Sequence, residues 1–392
     1  MVCAHSTNSP EYAVREEHDG NVKVCRINLP YFVDSDPEGW SLGLRRWRVH
    51  QEKLVAAIEN VVTAEKPDVA LVHFPRPLGE DFAIGLARKG VPVVLMTHDA
   101  WALCQRYQLI ESPGSHPCSG PGPAKCLLCV YSNFDKPWDA VLRLPIRFAR
   151  WGPLRAYKLV QRWRLRSLVR GVLAYSQFMN ERFGAFLPTR TWYVPLGIDL
   201  TGLPSERPSK PSGPIRFGFV AGFQPHKGLP DVLAGASELR SSGLHFELHI
   251  WGPLLAGRWQ EIREMGLESV VHFHGEYELG DRWKVFSQMD ILIMATRTQE
   301  PYGRVIGEAR AMGVPSIAPQ VGGITEQIRH GVDGLLFSFR NAGDLASQMR
   351  RVLEEPDLLP TMQRNQGPVM DTRDAVGVVE AHLLRLAKAA SA

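Results

Sequence analysis

Two glutamates bracket a glycine turn in the stretch Glu300-Pro301-Tyr302-Gly303-Arg304-Val305-Ile306-Gly307-Glu308. An apolar run, Ile291–Met294, precedes them, so the segment reads as a strand that turns into a helix at Gly303 and runs on through Ala311. The first N–H groups of such a helix have no internal partner and carry the positive end of its dipole, which suits the oxygens of a diphosphate. At a rise of ~1.5 Å per residue Glu308 stands ~8 Å further along, within reach of a ribose carried on that diphosphate. Glu300 lies before the turn and faces the opposite end, where sugar hydroxyls belong. Taken alone, two glutamates eight apart are equally compatible with solvated charges. They are accompanied by Lys227-Gly228 after the run Ile215–Ala221 and by Gly322-Gly323 after Ser316–Pro319, which makes three strand-to-loop junctions in one half of the chain.

The first half offers His98-Asp99-Ala100-Trp101 at the end of the apolar run Val91–His98. A histidine at the carboxyl end of a parallel strand stands where ligands bind, though it also serves as a simple cap on the following segment. Cys104, Cys118, Cys126 and Cys129 form a second group, with Cys126–Cys129 in the short spacing of half a tetrahedral thiolate site. A structural zinc and four merely packed thiols are both open readings of it. A disulfide framework is not expected of an intracellular chain, and Cys3 and Cys25 read as packing residues.

The elements that must position these residues alternate. Strands are expected at Val22–Leu29, Asp68–Phe74, Val91–His98, Val172–Tyr175 and Trp192–Pro195, with helices over Leu42–Ala64 and Asp81–Arg88. In the second half the expected strands are Ile215–Ala221, His245–Trp251, Val270–His274, Ile291–Met294 and Ser316–Pro319. Such alternation predicts parallel sheets covered on both faces. The Pro-, Ser- and Gly-rich segment Gly202–Gly213 reads as a linker. The expected organisation is therefore a domain over 1–200, a linker over 201–213, a second domain over 214–370, and a helix over 371–392 that packs back on the first. Ligands of two such open sheets are expected in the crevice between them.

Bulk properties narrow the function. The 44% hydrophobic and 22% charged content is that of a globular domain pair, and no run approaches the roughly 18 apolar residues of a membrane span. With no apolar core of a signal peptide over Met1–Tyr12, a cytoplasmic location is expected. A net charge of +4 is too mild to indicate nucleic acid. The charge is uneven, however: Val141–Arg170 holds nine arginines and lysines and no acid. Pro145 and Gly152-Pro153 are expected to break this stretch, leaving a helix from Leu154 with Arg155, Lys158, Arg162, Arg166 and Arg170 as one stripe. The stripe reads either as a solvated face or as a peripheral contact with anionic lipid at about 1 kcal/mol per cation.

The second half resembles the donor domain of the large retaining glycosyltransferase family 4, whose fold is GT-B. The features that carry the likeness are Lys227-Gly228, Trp251-Gly252-Pro253, Glu300-x7-Glu308, Gly313-Val314-Pro315, Gly322-Gly323 and Gly331-Val332-Asp333-Gly334. It extends from about Val22 to Leu353 and is specific as an ordered set. The resemblance implies an α/β chain of two Rossmann-like domains facing across a cleft. It implies a nucleotide-diphosphate sugar donor such as UDP-hexose, a glycan, lipid-linked or small-molecule acceptor, retention of configuration, and no required metal. By the same resemblance Lys227 holds the diphosphate, the N–H groups around Tyr302, Gly303, Arg304 and Val305 bind phosphate, Glu308 holds the ribose and Glu300 contacts the sugar. His98 becomes the acceptor-side residue, with Asp99 as a weaker neighbour, and His98, Glu300 and Lys227 form the catalytic set. Ser176 and Gly197-Ile198-Asp199 also match family turns.

Two departures stand against the pattern. The family often carries an arginine five positions before the lysine, where this chain has Gly222, and losing one such donor to a leaving diphosphate commonly costs ~3 kcal/mol. Arg304 is a candidate substitute. The opening Met1–Ser6 reads like the end of a second strand, so the first strand and helix of the N-terminal domain are expected to be missing. These departures keep open a non-catalytic relative that binds a sugar nucleotide or a partner enzyme, and a second GT-B activity such as a sugar-nucleotide epimerase. A Rossmann oxidoreductase is disfavoured, since no Gly-x-Gly-x-x-Gly follows a first strand.

Overall fold

Strand and helix alternate along the computed structural model, which describes residues 2–5, 12–29, 43–73, 79–104, 107–111, 116–122, 125–126, 129, 137–187, 189–206, 213–222, 224–253 and 258–391. The chain divides into two units: residues 1–174, 179–193 and 379–392 form the first, residues 175–178 and 194–378 the second.

In the first unit the order is β1 (Val2–His5), β2 (Val14–Asp19), β3 (Val22–Asn28), α1 (Gly43–Glu65), β4 (Ala70–Val72), α2 (Gly79–Arg88), β5 (Val93–Thr97), α3 (Pro137–Leu168), β6 (Val169–Ala174), α4 (Gln177–Phe186) and β7 (Arg190–Tyr193). The strands β4-β5-β6-β7 make one parallel sheet, and β1-β3-β2 a second in which β2 runs antiparallel to β3. All five residues of β5 are buried, as a strand covered on both faces requires. Trp47, Leu54, Ile58 and Val61 recur at helical spacing on the buried side of α1. The strand β2 was invisible to periodicity because it is almost wholly exposed and reads Val-Arg-Glu-Glu-His-Asp, with no apolar alternation to reveal it.

The expected breaks at Pro145 and Gly152-Pro153 do not occur: α3 runs from Pro137 to Leu168. A proline removes one helical N–H at about 3 kcal/mol, a cost that packing of the buried Leu154 and Leu165 opposes. Among the described residues no helix is long and apolar enough to cross a membrane.

The second unit continues with β8 (Ile215–Val220), α5 (Leu229–Ser241), β9 (Phe246–Trp251), α6 (Arg258–Glu264), β10 (Val271–Gly275), α7 (Arg282–Ser287), β11 (Ile291–Ile293), α8 (Arg304–Ala311), β12 (Ser316–Pro319), β13 (Gly334–Phe337), α9 (Ala342–Glu354), α10 (Leu358–Arg364) and the start of α11 (Thr372–Ser391), whose residues from Val379 belong to the first unit. Residues 207–212 of the expected linker lie outside the described residues. The sheet is parallel throughout, in the order β10-β9-β8-β11-β12-β13. From β8 the chain moves outward to β9 and β10, then returns to lay β11, β12 and β13 on the other side. The order therefore reverses between β8 and β11, which is where open α/β sheets bind ligands beyond the strand ends. One face packs Phe217, Phe219, Leu248, Ile250, Ile293 and Ile317 under Leu233, Ala236 and Met349, and the other packs Leu292, Met294 and Ala318 against Trp283, Phe286 and Ile306. Strand β13 was not expected: four residues bounded by a glycine turn are too short to show a period.

Candidate active site

The reversal point gathers the three junctions read from the sequence. Residue Lys227 ends a single 3-10 turn after β8, and Gly228 then opens α5 at φ 79°. A Cβ on Gly228 would stand 1.8 Å from the carbonyl oxygen of Ala295, just beyond β11, so only glycine allows the two loops this approach. The amide of Arg297 donates to His226 O at 2.7 Å and ties the lysine turn to the end of β11. The Arg297 guanidinium reaches back to the buried carboxylate of Asp231 on α5, its Nε at 2.8 Å from Oδ2. The Lys227 ammonium, half-buried, has no ion-pair partner among the described residues.

Beyond β11, Gly303 takes φ 84° and opens α8 with no side chain capping its first turn. The loop after β12 presses on the same segment: Gly323 N donates to Glu300 O at 2.9 Å, and a Cβ on Gly322 would lie 2.4 Å from that oxygen. The side chain of Gln327 donates to Tyr302 O. Glu300 is thus fixed by its backbone, and its Oε2 lies 3.4 Å from Thr296 Oγ1, which is itself 3.1 Å from Thr298 Oγ1. Gly222 lies in the loop before the lysine turn, with the side chain of Gln224 against it.

Glu308 is buried at 8% exposure, one and a quarter turns into α8. Burial raises its pKa above the ordinary carboxylate value, while Arg304 and Arg282 pull it down. The Arg304 Nε donates to Glu308 Oε1 at 3.1 Å, from a side chain that is 55% exposed. Tyr277, after β10, has a raised pKa through burial first and Glu308 second, so its ring belongs to the same pocket. Arg282 is buried and bonds Asp199 Oδ2 at 3.0 Å and Asp199 O at 2.7 Å, which makes Asp199 a structural anchor within this unit. Sequence reading missed Tyr277, Arg282, Thr296 and Arg297. Thr296 and Arg297 carried a signal, standing a few residues past a strand end in the most informative segment.

In the first unit His98 follows β5, and its Nε2 lies 2.9 Å from Nδ1 of His73, which follows the neighbouring strand β4. His98 is exposed to solvent, yet crowding by packed atoms, with His73 second, lowers its pKa to about 4. His98 is therefore neutral above pH 5, and burial lowers the pKa of His73 as well. His73 was missed, although it ends a parallel strand just as His98 does. Asp99 Oδ1 accepts the Trp101 amide at 2.8 Å and so shapes the turn after β5.

The four cysteines for which a structural zinc and packed thiols were both open readings lie close together. Cys104, Cys118 and Cys129 all act electrostatically on Cys126, so the four are neighbours, and no described cysteine forms a disulfide. Among the described residues, however, the group with metal-ligand spacing is Glu247, His249 and His272, not these sulfurs. Backbone amides reach two of the thiols, Gly122 N donating to Cys126 Sγ at 3.3 Å and Gly120 N to Cys118 Sγ at 3.5 Å. The basic stripe is likewise divided. Lys158 and Arg162 are buried, with Lys158 Nζ 4.0 Å over the Trp47 ring, Arg166 stacks on Trp163, and Arg170 lies exposed in β6. The side chain of Arg155 lies outside the described residues. Long cationic side chains pack their stems and rest on aromatic faces, which helical spacing alone does not reveal.

Two Rossmann-like units, one with its ligand-binding junctions at a topological switch point, define the GT-B architecture. Solved structures agree: a sucrose-phosphate synthase from Thermosynechococcus elongatus superposes with TM-score 0.63 at 16% identity over 98% of this chain and 85% of its own. Anabaena HepE in complex with UDP gives 0.59 at 20% identity over 85% of this chain and 82% of its own. Residues 205–367 match the family described as "Glycosyl transferases group 1", and this chain is a GT-B relative of family 4 glycosyltransferases. The glycogen synthase of Mycobacterium tuberculosis is 26% identical over 207 residues, 52% of this chain and 50% of that protein. A D-inositol 3-phosphate glycosyltransferase of Rhodococcus erythropolis is 30% identical over 211 residues, 49% of this chain and 47% of that protein. The chain thus spans about half the length of the curated relatives it matches.

Proposed function

We propose that this chain transfers a hexose-type sugar from a nucleoside-diphosphate donor to a hydroxyl of a glycan, lipid-linked or small-molecule acceptor, with retention at the anomeric carbon. The observation that carries the reading is the convergence, at one switch point, of a lysine with no ion-pair partner among the described residues, an uncapped helix start and a buried glutamate. Lys227 and the N–H groups of Tyr302–Val305 hold the diphosphate, a cation and oriented dipoles taking the charge that a metal carries elsewhere. Glu308 accepts from the ribose hydroxyls and Glu300 from the donor sugar. Arg304, one turn from Glu308 and exposed, supplies the cation absent at Gly222. His98 serves the acceptor side as a neutral imidazole.

In the reaction the bond between the anomeric carbon and the diphosphate oxygen breaks, the acceptor oxygen bonds to the same face, and its proton passes to the departing phosphate. Such a displacement depends on positioning and electrostatics more than on a strong base. Names of relatives support the class, among them a glycogen synthase and a 2-deoxystreptamine glucosyltransferase, and HepE structures hold UDP and UDP-glucose. The test is release of nucleoside diphosphate from UDP-, GDP- and TDP-sugars by the wild type, Lys227→Ala and Glu308→Ala. Release with one donor, reduced about 100-fold in Lys227→Ala for a loss of ~3 kcal/mol, supports the reading. Donor binding with no turnover toward any acceptor class favours the non-catalytic relative. Conversion of the donor sugar without an acceptor favours an epimerase.

A further inference from the structure

On the second unit's sheet, β9 and the edge strand β10 present a run of imidazoles that the donor site does not use. The register sets His272 directly opposite His249, and alternation along β9 puts Glu247, His249 and Trp251 on one face. His249 Nε2 lies 3.0 Å from Glu247 Oε2, and His249 Nδ1 lies 2.9 Å from His274 Nε2. The rings of His249 and His272 have centroids 4.8 Å apart, and one ligand atom each from Glu247, His249 and His272 falls within 4.8 Å of the others. Glu247 and His249 are half-buried, and His272 opens the group to solvent. Stacking fixes the far side, with the Trp251 ring 4.5 Å from that of His274 at an interplanar angle of 11°.

The geometry points to a site for a divalent transition-metal ion, zinc or nickel in class, held by Glu247, His249 and His272 and distinct from the sugar-nucleotide site. Two nitrogens and a carboxylate oxygen form a donor set that borderline cations prefer. Bonds of about 2.0–2.1 Å to a tetrahedral ion place neighbouring ligand atoms about 3.3 Å apart, close to the His249–Glu247 separation. The remaining ligand, His272, is an exposed side chain whose ring already lies beside that of His249. His274 is the positioning residue: its contact to Nδ1 orients the His249 ring and leaves Nε2 for the ion. The bound ion clips edge strand β10 to β9. Trp251, two residues beyond His249, leads into Gly252, whose amide bonds Gly275 O at 2.9 Å, so the clip steadies the loops at the strand ends.

The test uses the full chain freed of metal with chelator and titrated calorimetrically with Ni2+ and Zn2+, beside His272→Ala, His249→Gln and a Cys104→Ser/Cys126→Ser variant. We expect the wild type and the cysteine variant to bind one equivalent that both histidine variants lose or bind at least tenfold more weakly. The unfolding midpoint of the wild type should rise with the ion, and that of His272→Ala should not. His272→Ala removes only an exposed ring, so its midpoint without metal should equal that of the wild type. Equal stoichiometry and affinity in the wild type and His272→Ala, or loss of the bound equivalent only in the cysteine variant, overturns the assignment. None of these readouts depends on turnover.

Discussion

Replacing Gly228 with alanine separates two effects that a glycine usually confounds. At φ 79° an L-residue costs about 1–2 kcal/mol in backbone strain alone. At this position the new Cβ would also stand 1.8 Å from Ala295 O, whereas contacts under about 3 Å are not tolerated between a carbon and a backbone oxygen. The loop must therefore retreat by roughly 1 Å, and overpacking of this kind adds about 1–3 kcal/mol. Gly243 supplies the control: it has φ 77° in the same unit, and an added Cβ would meet nothing within 4 Å. Gly243→Ala should lose only the strain, and Gly228→Ala the strain and the collision together. In thermal unfolding, where ~1 kcal/mol shifts a unit of this size by about 2–4 °C, Gly228→Ala should melt several degrees below Gly243→Ala. The larger difference is expected in activity. Displacing Lys227 by about 1 Å from the diphosphate should cost on the order of 100-fold in kcat/KM for the donor, against less than about threefold for Gly243→Ala. Folded Gly228→Ala protein that turns over donor like Gly243→Ala would refute the claim that this close approach positions the lysine.

Glu308→Gln should weaken the donor's kcat/KM by roughly 10-fold or more while leaving the chain as stable as the wild type or more so near neutral pH, because the ionised carboxylate is held in a buried place. The sign follows from its raised pKa: between the unfolded value and the higher folded one the native state binds more protons, so this residue makes stability fall as pH rises, and the glutamine variant should show a flatter pH–midpoint curve there. Arg297→Ala leaves Asp231 buried without its guanidinium partner and should cost about 2 kcal/mol, read as a lower urea midpoint, with donor KM raised because the turn holding Lys227 loses a tether. With a pKa of about 4, His98 stays neutral from pH 5 to 8, so the pH–rate profile of His98→Gln should be parallel to that of the wild type in that range; a limb of the wild-type profile between pH 5 and 8 that vanishes in the variant would show that the imidazolium is the working form.

How much of this was legible in the sequence depends on what kind of force fixed each feature. The buried strands of both sheets could be read because a strand covered on two faces must be continuously apolar, as most of Val93–Thr97 and all of Ile291–Ile293 are. The solvent-facing β2, built from charged residues, offered no such mark. The strand-to-loop junctions of the second unit were legible because Gly228, Gly303 and Gly322 are demanded by backbone conformations that other residues rarely adopt. The residues that steady those junctions were not: Arg297 with Asp231, Arg282 with Asp199, and His73 with His98 pair across 66, 83 and 25 positions, and no local pattern announces them. The basic stripe shows the converse. Helical spacing correctly gathered Lys158, Arg162 and Arg166 on one element, but it carries no sign of the aromatic rings that draw them inward, two of which, Trp47 and Tyr107, come from elsewhere in the chain.

The strand order explains how the proposed diphosphate site draws on segments that lie far apart in the chain. Lys227 and Gly303 are separated by the strands β9, β10 and β11 and the helices α5, α6 and α7, yet β8 and β11 are hydrogen-bonded neighbours, so the loops that leave their carboxyl ends are adjacent by construction. Neither helix start is capped by a side chain: α5 and α8 both begin at a left-handed glycine. An uncapped start leaves N–H groups unpaired within the helix, a cost that an anion at the same place removes. What holds the site in shape is backbone pressed on backbone, Gly228 against Ala295 and Gly322 against Glu300, together with the Arg297–Asp231 pair. In the proposed donor site, the groups around Glu308 and Tyr277 are where a nucleoside hydroxyl would be selected, because a buried carboxylate gains most from a hydroxyl partner.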